Sequence, residues 1–234
     1  MPEDHPKPLA ERKPTGIDAF LRQVAAAPLP ARGVAGRLIF ALDATASRQP
    51  TWDRACHVQA EMFAAAAALG GLAMQLCYFR GFAEFHAAEW LTDGEALVRR
   101  MTAVTCLAGK TQMTRVLRHA IREAAAGRVS ALVYVGDCME ESAGTVAELA
   151  GKLGLLGVPA FVFQEGNDPV ARRVFQQVAH LTTGAYASFD AASAKTLRDL
   201  LTAVAVYAAG GRKALADYAS QAGGEVARLT RQLR

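Results

Sequence analysis

The stretch Arg37-Leu38-Ile39-Phe40-Ala41-Leu42-Asp43-Ala44-Thr45-Ala46-Ser47 changes character at one residue. Before Asp43 stands a short apolar run with no charge in it, as expected for a strand buried on both faces. From Asp43 onward, oxygen donors alternate with alanines. A turning loop can aim one carboxylate and two hydroxyls of that pattern at a common point. Two later runs end in a similar way. Leu132-Val133-Tyr134-Val135 runs into Gly136-Asp137, and Val158 to Phe163 runs into Gln164-Glu165.

Helical patterns fill the intervals. Trp52, Cys56, Ala60, Phe63 and Ala67 form one apolar stripe that Gly70-Gly71 stops. Leu72 to Phe79 reads as a strand and Ala83 to Ala87 as its companion at the edge. Thr92-Asp93-Gly94-Glu95 has the spacing of a capping box and opens a helix through Met101. Thr111 opens the next, with Met113, Val116, Leu117 and Ile121 on its inner face. Val146, Leu149, Ala150 and Leu153 mark another, closed by Gly154. Asp168-Pro169 reads as an N-cap with proline at the first helical position, and Val170, Val174, Val178 and Leu181 follow. Gly184 to Phe189 is the last strand. Leu197, Leu200, Leu201, Val204 and Ala208 make the final core helix. Strands alternating with helices predict an α/β fold: a doubly wound, mostly parallel, six-stranded, Rossmann-like sheet with helices on both faces. Such sheets bind ligands outside the carboxyl ends of their strands, where Asp43, Asp137 and Glu165 would emerge.

Composition agrees with a globular chain. Of 234 residues, 52% are apolar and 21% charged, and no apolar run approaches the ~18–20 residues of a membrane span. Residues 1–16 carry prolines and charges without a core pattern and are expected to be disordered. Ile17, Phe20, Leu21 and Val24 suggest a short helical lead-in over 17–30, ahead of a domain at 36–209. Residues 210–234 read as a basic helical tail in which Arg212, Lys213, Arg228, Arg231 and Arg234 outnumber Asp217 and Glu225. Those charges are scattered, so a solvated helix face is expected and a nucleic-acid partner is not. The opening residues do not read as a secretory signal, and Cys56, Cys77, Cys106 and Cys138 contain no C-x-x-C pair. A reducing cytoplasm is the expected compartment.

Asp43-x-Thr45-x-Ser47 resembles the D-x-S-x-S metal motif of von Willebrand factor A (VWA) domains, bacterial cytoplasmic ones included. Gly109-Lys110-Thr111 before a helix is similar to the family's second element, and Asp137 at a strand end to its third. Order and context agree over roughly residues 36 to 208. The resemblance implies a metal-ion-dependent adhesion site (MIDAS). Ser47, Thr111 and the Thr45 hydroxyl would contact the ion directly or nearly so, and Asp43 and Asp137 would hold it mainly through water. The ion would be Mg²⁺, or Mn²⁺ or Ca²⁺, and one coordination position would stay open for an acidic side chain of a partner protein. A chaperone or ATPase is the class of partner that bacterial relatives suggest; a membrane is not expected. The chain departs from the pattern at Thr45, where serine is usual, at Lys110, where a small residue is common, and at Cys138, where glycine is frequent.

Other chemistries fit less well. Gly109-Lys110-Thr111 lacks the earlier glycine of a phosphate loop, since position 104 is Val104. Asp43-Ala44-Thr45 lacks the second acid of a haloacid-type phosphatase. No G-x-S-x-G is present, and His57, His86, His119 and His180 fall in helices or strands. The expectation is a binding module without catalytic residues. Two alternatives remain open: a metal-dependent phosphoester hydrolase on the same sheet, and a metal-free scaffold that binds through its basic tail. Arg80, Glu165 and Trp52 are weaker candidates for the crevice rim, with core packing favoured for Trp52.

Overall fold

A computed structural model describes residues 20, 22–24, 26, 36–52, 72–190 and 194–221. Six strands form one sheet in the order β3-β2-β1-β4-β5-β6. They are β1 (Gly36–Asp43), β2 (Leu72–Arg80), β3 (Glu84–Ala87), β4 (Ala131–Gly136), β5 (Ala160–Glu165) and β6 (Ala185–Phe189). All neighbours pair in parallel except β2 and β3, which form an antiparallel hairpin around Gly81. Among the described residues the longer helices are α1 (Gly94–Thr102), α2 (Met113–Ala126), α3 (Ala143–Leu155), α4 (Pro169–Leu181) and α5 (Ala194–Gln221). Among the described residues, no helix is long and apolar enough to cross a membrane.

The sheet has two buried faces because successive strand residues point to opposite sides. Leu38, Phe40 and Leu42 of β1, with Val133, Val135, Phe161 and Phe163, pack under α1 and α5. Phe20 and Val24, ahead of β1, are fully buried in that same layer. Ile39 and Ala41, with Leu132, Tyr134 and Val162, pack under α2, α3 and α4. Strands covered on both faces must be apolar throughout, so the runs read as continuous rather than alternating. Phe40→Ala is expected to destabilise by about 3–5 kcal/mol. One core side chain therefore outweighs a typical surface contact.

Local details differ from the sequence reading in three places. Asp93, not Thr92, caps α1: its carboxylate accepts from the Glu95 N–H at 2.9 Å. Gly154 lies inside α3, where a side chain would strike the Leu181 carbonyl at 2.2 Å, and Gly157, at a φ of 72°, follows the helix end. The helix expected to open at Thr111 begins at Met113, after Gln112, which makes no side-chain cap. Asp168 does cap α4, accepting from Ala171 N–H at 2.6 Å with Pro169 in the first turn. The last helix continues past Gly210 and is broken by the backbone of Gly211 (φ 69°, ψ −160°). The stripe beyond Trp52, His57, residues 1–16 and the tail beyond 221 lie outside the described residues.

Candidate functional site

The chain places β2 on one side of β1 and later returns to place β4 on the other. The carboxyl ends of β1 and β4 therefore flank the point where the winding reverses, the usual site of a ligand crevice. Asp43 ends one of these strands and Asp137 follows the other directly.

The Asp43 loop is held in a fixed shape. Asp43 Oδ1 accepts from the Thr45 N–H at 2.8 Å, which turns the chain back over the strand end. A short 3₁₀ helix over Ala46–Thr51 follows. Thr45 precedes it in an extended conformation, and its hydroxyl makes no capping bond. That hydroxyl instead lies 3.0 Å from the Ser47 hydroxyl. The loop spacing has thus brought two hydroxyls into contact beside one carboxylate.

The second wall is residues 105–112. Leu107 N–H donates to Ala44 O at 3.0 Å, and Lys110 N–H donates to Gly81 O at 3.1 Å. Gly109 packs so tightly that a Cβ would stand 1.9 Å from Gly81 O, so no other residue fits. The Gln112 side-chain amide donates to Arg80 O and Gly81 O. These contacts deliver Thr111, whose hydroxyl donates to the Cys138 carbonyl at 3.1 Å and so reaches the residue next to Asp137. Donating its proton there leaves the oxygen's lone pairs for another partner.

Two acids that the sequence reading passed over complete this corner. Glu140 Oε2 accepts from Thr111 N–H at 3.0 Å, and Glu141 accepts from both the N–H and the hydroxyl of Thr114. They satisfy one amide just ahead of α2 and one in its first turn that has no partner within the helix. Their only sequence signal is a Glu-Glu pair shortly after Asp137, and the long-range pairing is not visible there.

Arg48 was also missed. Its side chain is fully buried, and Nε lies 2.8 Å from Glu165 Oε2. A buried guanidinium requires such a partner. Glu165 therefore anchors the loop after β1 instead of standing free on the rim. Arg80 pairs with Glu84 and donates to Thr105. Trp52 is a core residue whose indole N–H donates to Val104 O. His86 is exposed beside Glu84, and His119 is buried against Gln75.

Buried oxygens without a hydrogen-bond partner gather at this edge among the described residues: Asp43 Oδ2, Asp137 Oδ1, Tyr134 Oη and Gln112 Oε1. Gly136 lets the tyrosine in, since its Cβ would stand 2.8 Å from the hydroxyl. Burial, opposed by the hydrogen bonds from Thr45 and the charge of Arg48 and assisted by Asp137, pushes the Asp43 carboxyl up to about 6. Unsatisfied buried carboxylate oxygens are unfavourable unless a cation or donor meets them. The Cys138 thiol is pushed up to about 12, chiefly by burial and then by Asp137, so it stays protonated at neutral pH. Among the described residues no three His, Cys, Asp or Glu side chains gather for a metal. The donors on offer are hydroxyls and two carboxylates, a set that fits a hard cation with water completing its shell and not a zinc-thiolate cage.

No protein-family profile matches the chain, and no curated protein does. Solved structures do. A von Willebrand factor type A protein from Catenulispora acidiphila aligns with a TM-score of 0.60 and 15% identity, over 74% of this chain and 43% of that one. The VWA domain of SpRpn10 aligns at 0.56 and 11%, over 74% and 95%. Proximal thread matrix protein 1 from the mussel byssus, in a structure described as having a zinc-occupied MIDAS motif, aligns at 0.57 and 14%, over 74% and 48%. The chain thus spans less than half of the first and third of these proteins and nearly all of the second in length. At such low identity it is the arrangement of strands and helices that is shared, and the chain has the fold of a von Willebrand factor type A domain.

Proposed function

We propose that the chain is a protein-interaction module that holds a divalent cation of the Mg²⁺ type at Asp43, Thr45, Ser47, Thr111 and Asp137, and uses it to capture a carboxylate of a partner protein. One observation carries this reading: Asp43 Oδ2 and Asp137 Oδ1 are buried without hydrogen-bond partners at the same crevice. A cation there would relieve both. Thr45 and Ser47 would add neutral oxygens from one side and Thr111 from the other. Two carboxylates balance the ion's charge, and a negatively charged group from outside then completes its shell. The MIDAS of the mussel protein lends support by fold. Thr45 serves in a serine's place because it keeps the hydroxyl.

Calorimetric titration with Mg²⁺ and Mn²⁺, on the wild type and on Asp43→Ala, tests the ion. Saturable binding by the wild type and none by the variant is expected. Absence of binding by the wild type would remove the ion from the proposal. Turnover of a generic phosphoester in the presence of Mg²⁺ would overturn binding as the role of the crevice.

A further inference from the structure

The crevice has two unlike sides. On the β4 side stand Asp137, Glu140 and Glu141, the last two spent on the amides of Thr111 and Thr114. On the β2 side the exposed residues beside the crevice include apolar and cationic ones. Phe82, at the tip of the β2–β3 turn, is 76% exposed and Leu107 is 50% exposed. They belong to one structure. Leu107 bridges to Thr45 in the metal-motif loop, and its Cδ2 would lie 3.4 Å from a methyl placed on Gly81, the residue before Phe82. Lys110 is tied to the same Gly81 through its backbone, and the Arg115 guanidinium reaches over to donate to Ala83 O at 2.8 Å. Both cations are exposed, and Arg118 and Arg122 continue the positive face along α2. The acids of this neighbourhood are engaged: Glu84 with Arg80 and His86, and Glu123 with Arg37 and Trp90.

A large aromatic left in water beside a second apolar side chain marks a contact surface more often than a lone exposed leucine does. Cations around it select an acidic partner. Resting on the proposed role of the crevice, we infer that the rim formed by Phe82, Leu107, Lys110 and Arg115 docks an acidic segment of a partner protein, one that carries a large apolar side chain beside the carboxylate captured at the ion. The apolar side chain fits against Phe82 and Leu107. Further acids of the segment face Lys110 and Arg115. The surface is continuous with the crevice through the Leu107–Thr45 bridge, so one segment can occupy both.

The test uses the full chain with Mg²⁺ and a displayed random peptide library. Enriched peptides are synthesised with a fluorescent label and titrated by anisotropy. Enrichment of acids flanking a large apolar residue is expected. Phe82→Ser, Leu107→Ser and Lys110→Glu should each weaken binding about tenfold or more, the scale of an interface hot spot. Leu155→Ser, at the last residue of α3 and 91% exposed, should leave it unchanged. Circular dichroism confirms that each variant is folded. No enrichment, or equal affinity in the three rim variants, would overturn the inference, as would binding of a labelled single-stranded DNA oligonucleotide through the same residues in place of peptide. Asp43→Ala separates the two proposals. Peptide binding that it abolishes but the rim variants spare leaves the ion and removes the rim. Binding that the rim variants weaken and Asp43→Ala spares leaves the rim and removes the ion.

Discussion

Two regions of this protein bury polar side chains, and they do it in opposite ways. Under the β2–β3 hairpin, His119 Nε2 lies 2.7 Å from Gln75 Oε1, and the Gln75 amide donates to Ala88 O at 2.9 Å. The amide is used at both ends, and the imidazole rests against Phe85. At the carboxyl ends of β1 and β4, Asp43 and Asp137 each leave a buried oxygen unmet. The first arrangement is complete within the chain and needs no ligand. The second leaves room for a cation to complete it. Burial of a polar group is therefore no sign of function by itself; what distinguishes a site is a buried group whose partner is missing.

The largest expected effect tests that distinction directly. If the crevice binds the ion, free cation at 100 times Kd should stabilise the wild type by about 2.7 kcal/mol. For a domain of this size that is a rise in Tm on the order of 5–10 °C in a thermal melt. Asp43→Ala should show no such rise. Asp43→Asn should also lose it, yet in chelator at pH 7.5 this variant should be more stable than the wild type by on the order of 2–3 kcal/mol, because the carboxyl driven from 3.8 to about 6 no longer has to be charged. A less stable Asp43→Asn would mean that the carboxylate is already satisfied.

Gln75→Leu should act the other way. It strands His119 and the Ala88 carbonyl, and a chemical melt should show a loss of about 1–3 kcal/mol. The cation-dependent rise in Tm should remain. A change in that rise would mean that the two regions are coupled.

Their responses to pH should also oppose each other. Asp43 has a folded-state pKa above its unfolded value, so its share of stability is full below about 4 and is lost as pH rises through about 6. Burial lowers the His119 pKa below its usual 6.5. Its share is full above that value and is lost as pH falls through the folded-state pKa. Melts in chelator across this range should show the high-pH loss flattened in Asp43→Asn and the low-pH loss flattened in His119→Gln. Added Mg²⁺ should help more at pH 7.5 than at pH 5. Smallest of all, Thr45→Ser should change cation affinity by less than about threefold, since the hydroxyl is kept. Thr45→Val, which loses it, should weaken binding measurably in the same calorimetric titration.

The strands were legible because parallel strands covered on both faces must be apolar throughout, and Leu38 to Leu42, Leu132 to Val135 and Ala160 to Phe163 are. Asp43 and Asp137 could be placed at strand ends because the apolar runs stop there. Arg48 could not be placed. An arginine after a loop serine is normally solvated, and the pairing with Glu165 that helps to make its burial tolerable comes from more than a hundred residues away. Glu140 and Glu141 were hidden for the same reason, since a cap supplied from a distant loop leaves no local pattern. Asp93 rather than Thr92 caps α1 because two adjacent residues of similar chemistry compete, and backbone geometry decides between them.

Arg48 has one more consequence. It leaves the loop after β1 and reaches Glu165 at the tip of β5, past the intervening β4. The guanidinium is thus a crossbar joining the tips of strands two places apart. A tug on Thr45 or Ser47 would not simply peel one loop from one strand; the crossbar would pass part of that force to β5, and the ladder between β1 and β5 would share it. A grip made at the tip of β1 is in that sense fastened to β5 as well.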